Sequence, residues 1–243
     1  MRDIDKLHTW VQQCPPGGMV FFGGAGVSTE SGIPDFRSPT GLYAQTFAYP
    51  PEVMVSHTFF EEHPREFFDF YFTTMVAPDV EPNRAHRKLA ELERIGTLSA
   101  VITQNIDGLH QRAGSKNVLE LHGSVLRNHC VACGRAYGLD EMLSLHAEAA
   151  DGVPRCACGG VVRPDVVLYE EPLDGRVLEA AVRAISSARL LVVAGTSLVV
   201  QPAASLLSYF DGDHLVIVNL TPTPADRAAD LCISAKVGDA FSW

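Results

Sequence analysis

Met19-Val20-Phe21-Phe22-Gly23-Gly24-Ala25-Gly26-Val27-Ser28 is the stretch on which the fold turns. Four apolar residues with no polar alternation predict a strand buried on both faces, and such strands belong to parallel sheets covered by helices. The glycines let the backbone turn sharply, and the chain beyond them is expected to open a helix. A helix start after a strand tip offers N–H donors and positive potential to an anion such as a diphosphate. A plain tight turn reads the same way. The common dinucleotide fingerprint wants a third glycine where Thr29 stands, and an acidic residue about twenty positions on, which is missing. The match to that fingerprint is therefore incomplete.

The pattern repeats on both sides of this stretch. Residues 84–95 place Leu89, Leu92 and Ile95 on one helical stripe, and Gly96 stops it. Residues 98–103 then read as a strand. Residues 176–188 are amphipathic through Val177, Leu178, Ala181, Val182 and Ile185, and they feed an apolar strand at 190–194. A further strand follows at 215–218. Strands alternating with helices predict an α/β fold, a parallel sheet with helices on both faces. Two stretches break the alternation. Residues 41–82 are rich in aromatics and prolines and look like a helical insertion, and residues 128–160 carry paired cysteines. A cleft between such a module and the main domain is a usual place for ligands.

Composition narrows the class. With 243 residues, 47% apolar and 20% charged, the chain can bury a sizeable core. Lys plus Arg number 19 against 29 acids, a net charge of −10, which argues against a basic face for nucleic acid and suits a cationic peptide partner. The apolar runs are of core-strand length, far short of a membrane span. The start, Met1-Arg2-Asp3-Ile4-Asp5-Lys6, holds acids and no apolar signal core, so a cytoplasmic protein is expected.

Cys14 and Cys232 stand alone. Cys130, Cys133, Cys156 and Cys158 form Cys-x2-Cys and Cys-x-Cys pairs separated by 22 residues. Without a secretory signal, such pairs read as metal ligands, and four thiolates suit a tetrahedral zinc ion. With every ligand supplied by protein, the site is closed and structural. Arg127, His129 and Arg135 make too weak a basic patch for a zinc ribbon that binds nucleic acid.

Four strand tips then collect small or polar residues. Asp35-Phe36-Arg37 lies beside the glycine turn, where Arg37 could pair with a phosphate or simply be a surface arginine. Gln104-Asn105-Ile106-Asp107-Gly108 follows a strand's carboxyl end, either as a helix entry or as a pocket. Gly195-Thr196-Ser197 and Asn219 end two more strands. Together they predict one cleft along the carboxyl edge of the sheet. His122, followed by Gly123, sits near the junction with the cysteine module, and imidazole suits a general base near neutrality. Most of the nine histidines must be bland, and His8, His63 and His86 are read as helix-surface residues.

These segments resemble the sirtuins, NAD-dependent protein deacylases. The likeness is carried by residues 24–37, 103–110 and 121–123, the four cysteines, residues 195–197, and Val218-Asn219, in family order over nearly the whole chain. It implies an α/β fold, a Rossmann-like parallel sheet with helices on both faces, plus a small zinc-binding and helical module formed by two insertions. The Rossmann-like part would be 1–40, 85–123 and 164–243. The helical insertion would be 41–84 and the zinc-binding insertion 124–163. NAD would be consumed as a co-substrate, and Zn2+ would be structural.

The resemblance also assigns roles. Ala25 and Thr29 would lie along the diphosphate, with Arg37 at a phosphate and Phe36 over the nicotinamide ribose, and Gly24 would also be a cofactor-binding residue. Gln104 and Asn105 would hold that ribose and a water, while Ile106 and Asp107 hold the nicotinamide amide. Thr196, Ser197 and Asn219 would take the adenosine half, with Val237 near the adenine and Gly195 a further cofactor-binding residue. His122 and Asn105 would be catalytic. The implied reaction moves the acetyl group of an acetyl-lysine protein or peptide to ADP-ribose, releasing nicotinamide and O-acetyl-ADP-ribose. Neither nucleic acid nor a membrane is an expected partner. The Tyr-x-x-Arg of members that take acidic acyl groups is absent, since Phe72-Thr73-Thr74 follows Tyr71. Glu170 stands where the family usually has glycine, which is expected to alter peptide preference.

Overall fold

Residues 19–23 form a strand buried at every position, as expected of one covered on both faces. In the computed structural model, residues 3–38 and 41–243 are described. Met1 and Arg2, which begin the N-terminal stretch Met1–Lys6, and positions 39–40, which end the expected Rossmann-like segment 1–40, lie outside them. The strands are β1 (Met19–Gly23), β2 (Leu98–Thr103), β3 (Val118–Glu120), β4 (Gly123–Cys130), β5 (Ala136–Gly138), β6 (Val162–Val166), β7 (Leu190–Ala194), β8 (His214–Val218) and β9 (Leu231–Ile233). Six make one sheet in the order β3-β2-β1-β7-β8-β9, parallel throughout.

Side chains alternate between its two faces. Phe21, Val101, Val192 and Val216 pack with Leu7, Leu89, Leu92 and Phe241 on one side. Val20, Phe22, Ile102, Val193 and Ile217 pack with Ala181, Ile185 and Leu206 on the other. Full burial of each such side chain contributes roughly 1.5–3 kcal/mol.

A second core joins the two stretches that interrupt the alternation. Helices at Pro51–Met54, His57–Glu62 and Pro64–Phe70 supply Phe59, Phe60, Phe67 and Phe68, which pack against Val125, Tyr137, Met142 and Val162 of the cysteine-bearing part. There β4 pairs antiparallel with β5 and β6. Phe60 and Phe67 meet edge to face at 5.0 Å, as do Phe67 and Phe68 at 5.2 Å, a geometry that favours aromatic pairs beyond their burial. Among the described residues no helix is long and apolar enough to cross a membrane.

Two expectations are corrected. The glycine turn does not open an α-helix. It continues as two short 3-10 turns, Ala25–Val27 and Thr29–Ser31, because Gly32 takes φ +96° and Pro34 follows closely. His86 is not a surface residue but fully buried. It lies three residues before Leu89, on the stripe that faces the core, and its Nδ1 accepts the N–H of Asn83 at 3.3 Å in the helix cap. Its ring lies 4.7 Å from that of His110.

Burial pushes His86 down to about 4, against the opposing charge of Asp107, and pushes His110 down to about 3, helped by His86. Both lie below the ordinary histidine value of about 6.5, so the unfolded chain binds more protons. Stability is therefore expected to fall as pH drops from about 6.5 towards 4. Urea midpoints measured across that window should decline, and the decline should be shallower in a His110→Leu variant. Equal slopes in both proteins would contradict the assignment.

Candidate active site

In a parallel sheet all carboxyl ends share one edge. Here the tips of β1, β2, β7 and β8 send out the segments 24–38, 104–108, 195–202 and 219–221. With His122 and residues 166–171 these line a cavity of about 870 Å3, towards the upper end of the range for small-molecule sites. Among the lining residues are Asn105, Ala25, Thr29, Phe36, Arg37, Gln104, Ile106, Asp107, Gly195, Thr196, Ser197, Asn219 and Val237. Of the site residues read from the sequence for this cleft, only Gly24 does not line it. It lies behind the wall, donating its N–H to the Ala194 carbonyl at 3.2 Å. A Cβ there would stand 2.7 Å from that of Thr196.

Two glycines are required by geometry. Gly195 has φ +59° and accepts the Gly26 N–H at 2.8 Å, and a Cβ on it would reach within 2.5 Å of the Val27 nitrogen. The tip of β7 and the loop after β1 therefore pack backbone to backbone, leaving room beside the small residues. Gly123 has φ +76°, and a Cβ there would collide with the Asp165 carbonyl as β4 begins its pairing with β6. This glycine sets the chain direction that leaves His122 at the cleft.

His122 is half-buried. Its Nδ1 lies 2.9 Å from the Gln104 carbonyl. A carbonyl only accepts, so Nδ1 carries the proton and Nε2 is left as the basic atom of the neutral ring. Burial holds the pKa below the usual histidine value, and the Gln104 carbonyl opposes this in part. Beside it, Asn105 Nδ2 donates to Ser28 Oγ at 3.0 Å, and Ser28 Oγ donates to Asp107 Oδ2 at 2.6 Å. Asp107 Oδ1 accepts the Leu109 N–H at 2.9 Å at the start of the next short helix, whose N-cap is Gly108 and neither Asn105 nor Asp107. Gln104 Nε2 donates to Thr196 Oγ1 at 3.0 Å, tying the tips of β2 and β7. The lining is chemically two-sided. The sheet edge gives glycines, hydroxyls and amides, whereas Phe67, Tyr71, Met75, Val166, Leu168 and Ile106 give hydrocarbon.

Cys130, Cys133, Cys156 and Cys158 meet with every Sγ within 4.8 Å of the others. The Cys130–Cys158 and Cys133–Cys156 sulfur pairs are 3.5 and 3.7 Å apart. Tetrahedral zinc with bonds of about 2.3 Å needs sulfur edges of about 3.8 Å, so this donor set fits one structural Zn2+.

The Sir2 family profile matches residues 24–202. The chain is 56% identical over 240 residues to an NAD-dependent protein deacetylase of Cutibacterium acnes, covering 98% of this chain and 96% of that protein. The chain belongs to the Sir2 family. It superposes with TM-score 0.90 and 39% identity on a solved Sir2 structure with a deacetylated p53 peptide and 3′-O-acetyl-ADP-ribose, over 98% of this chain and 96% of that one. A Sir2 structure with a p53 peptide and NAD+ matches with TM-score 0.86 and 39% identity, over 100% and 96%.

Three features of this Sir2 cleft escaped the sequence reading. Ser28 links Asn105 to Asp107 across 77 and 79 residues of chain. Glu30 Oε2 accepts the Gly238 N–H at 2.6 Å and ties the 3-10 turns to the helix Val237–Ala240. Tyr43 and Tyr169 bring their hydroxyls to 3.3 Å at the cleft. Each contact joins residues far apart in sequence, and no local spacing announces them.

Proposed function

We propose that this chain is a cytoplasmic NAD-dependent protein-lysine deacetylase in which His122 is the general base. The observation that carries this is the position of a neutral, tautomer-locked His122 on a cleft with one polar and one apolar lining. The polar strand tips suit a dinucleotide. The hydrocarbon of Phe67, Met75, Val166 and Leu168 suits the aliphatic stem and acetyl group of acetyl-lysine, with the charge of that lysine already removed. NAD, when bound, would supply an ADP-ribosyl group that accepts the acyl group as nicotinamide leaves, with one water consumed in freeing the lysine amine.

The chain's own residues then divide the work. Ala25 and Thr29 bind along the diphosphate and Arg37 faces a phosphate, while Gly24 acts from behind by letting the loop pack on Thr196. Gly195, Thr196, Ser197, Asn219 and Val237 hold the adenosine half. Ser28 fixes Asn105 and Asp107, so Asn105 presents its side-chain carbonyl to a ribose hydroxyl or water. Ile106 and Asp107 hold the nicotinamide amide. Phe36 and Ile106 exclude water from the reacting carbon. His122 Nε2 takes a proton from a ribose hydroxyl, and the Gln104 carbonyl stabilises the imidazolium that results. The paired reduced cysteines are in keeping with the cytoplasm.

Incubation with an acetyl-lysine peptide and NAD tests the activity. One nicotinamide is expected per lysine freed, with no loss of acetyl in the absence of NAD. ADP-ribose attached to the protein or peptide, with the acetyl group retained, would instead make the chain a mono-ADP-ribosyltransferase.

A further inference from the structure

Glu170 sits on the cleft wall with φ +78°. Leu198 is the other non-glycine residue with positive φ among those described. L-residues avoid this region, so something must hold Glu170 there. Its Oε2 accepts two hydrogen bonds from Thr58, from the backbone N–H at 2.9 Å and from Oγ1 at 2.8 Å. Those contacts keep the Glu170 carboxyl below the usual carboxylate range.

The neighbouring backbone is fastened on the same side. Tyr169 N–H donates to the Val55 carbonyl at 3.0 Å, and His57 N–H donates to the Tyr169 carbonyl at 3.0 Å. Val167 N–H donates to the His122 carbonyl, also at 3.0 Å. From this segment the Tyr169 hydroxyl meets that of Tyr43, whose ring packs edge to face on Phe36 at 5.7 Å. The four residues 167–170 thus touch the backbone of the general base and the helical insertion, and through Tyr43 they reach Phe36.

We propose that Glu170 is a positioning residue for acyl-lysine binding: its carboxylate, seated on Thr58, holds segment 167–170 on the cleft wall and Tyr169 towards Tyr43. The proposal rests on the deacetylase reading.

The test compares Glu170→Gly, Glu170→Gln and Thr58→Val with the full-length parent. Peptide binding is read by anisotropy, and turnover by nicotinamide release. Glycine relaxes the backbone but loses the anchor, so peptide Kd and KM should rise about tenfold, close to the lower end of what one charge-assisted hydrogen bond contributes, with kcat and the KM for NAD within about twofold. Glutamine keeps an acceptor oxygen and should stay near the parent, and valine at 58 should fall between. Glycine matching the parent in peptide affinity, or losing kcat at constant KM, would overturn the proposal. A parent that binds the peptide but releases no nicotinamide would sink the deacetylase reading instead, while the anisotropy series still judges the anchor. A parent that does not bind the peptide would end both.

Discussion

Replacing His122 by alanine is expected to lower deacetylation about 10²–10⁴-fold, the usual contribution of a positioned proton acceptor. NAD binding, measured by calorimetry, should change little. The separation follows from the geometry. The ring's Nδ1 is engaged by the Gln104 carbonyl, and Nε2 is its one basic atom. The main chain at 122 survives the substitution, since Val167 bonds to the His122 carbonyl and not to the ring. The strand tips that line the polar side are tied by Gln104 to Thr196 and by Gly26 to Gly195, neither of which involves the imidazole. A pH profile adds a second reading. Burial lowers the His122 pKa, so the neutral, basic form persists below the ordinary value of about 6.5. The acid limb of kcat/KM in the parent should therefore lie below that value, and the residual activity of the alanine variant should lack it. Full turnover in the variant would remove His122 from the mechanism.

Removal of zinc is expected to have the next largest effect. The four-cysteine cluster sits at the outer end of β4 and at the loop before β6, while the inner ends of those strands reach the cleft at Gly123 and Val166. The module has its own core, in which Cys130 and Cys156 are themselves buried members. Structural zinc typically contributes about 10–16 kcal/mol of binding free energy to folding in small metal-dependent domains, more than such a core is expected to supply alone. Chelation should therefore melt β4, β5 and β6, seen as lost amide protection, and abolish turnover with the wall at 166–168. The six-stranded sheet, with its own two cores, should keep its protection. A folded, zinc-free protein at full activity would show that the metal is dispensable.

The long parallel strands were legible because β1, β7 and β8 are continuous apolar runs. The cleft was legible because parallel strands deliver their tips to one edge, so Gln104–Asp107, Gly195–Ser197 and Asn219 had to converge. The cysteine site was legible from local spacing alone. Three-residue strands such as Val118–Glu120 and Leu231–Ile233 are too short to show a period, and they acquire their identity only from a neighbour. His86 was misplaced because polarity outweighed its helical spacing. The Ser28–Asp107, Glu30–Gly238 and Tyr43–Tyr169 contacts depend on how the loops close over one another, and that information is tertiary.

A crystal structure of the chain with NAD and an acetyl-lysine peptide tests the account most directly. The expected result places a nicotinamide-ribose hydroxyl within hydrogen-bond reach, about 3 Å, of His122 Nε2, with the diphosphate along residues 25–29 and the acetyl group against Phe67, Met75 and Val166. A dinucleotide bound elsewhere, or one whose ribose lies beyond the reach of that nitrogen, would contradict it.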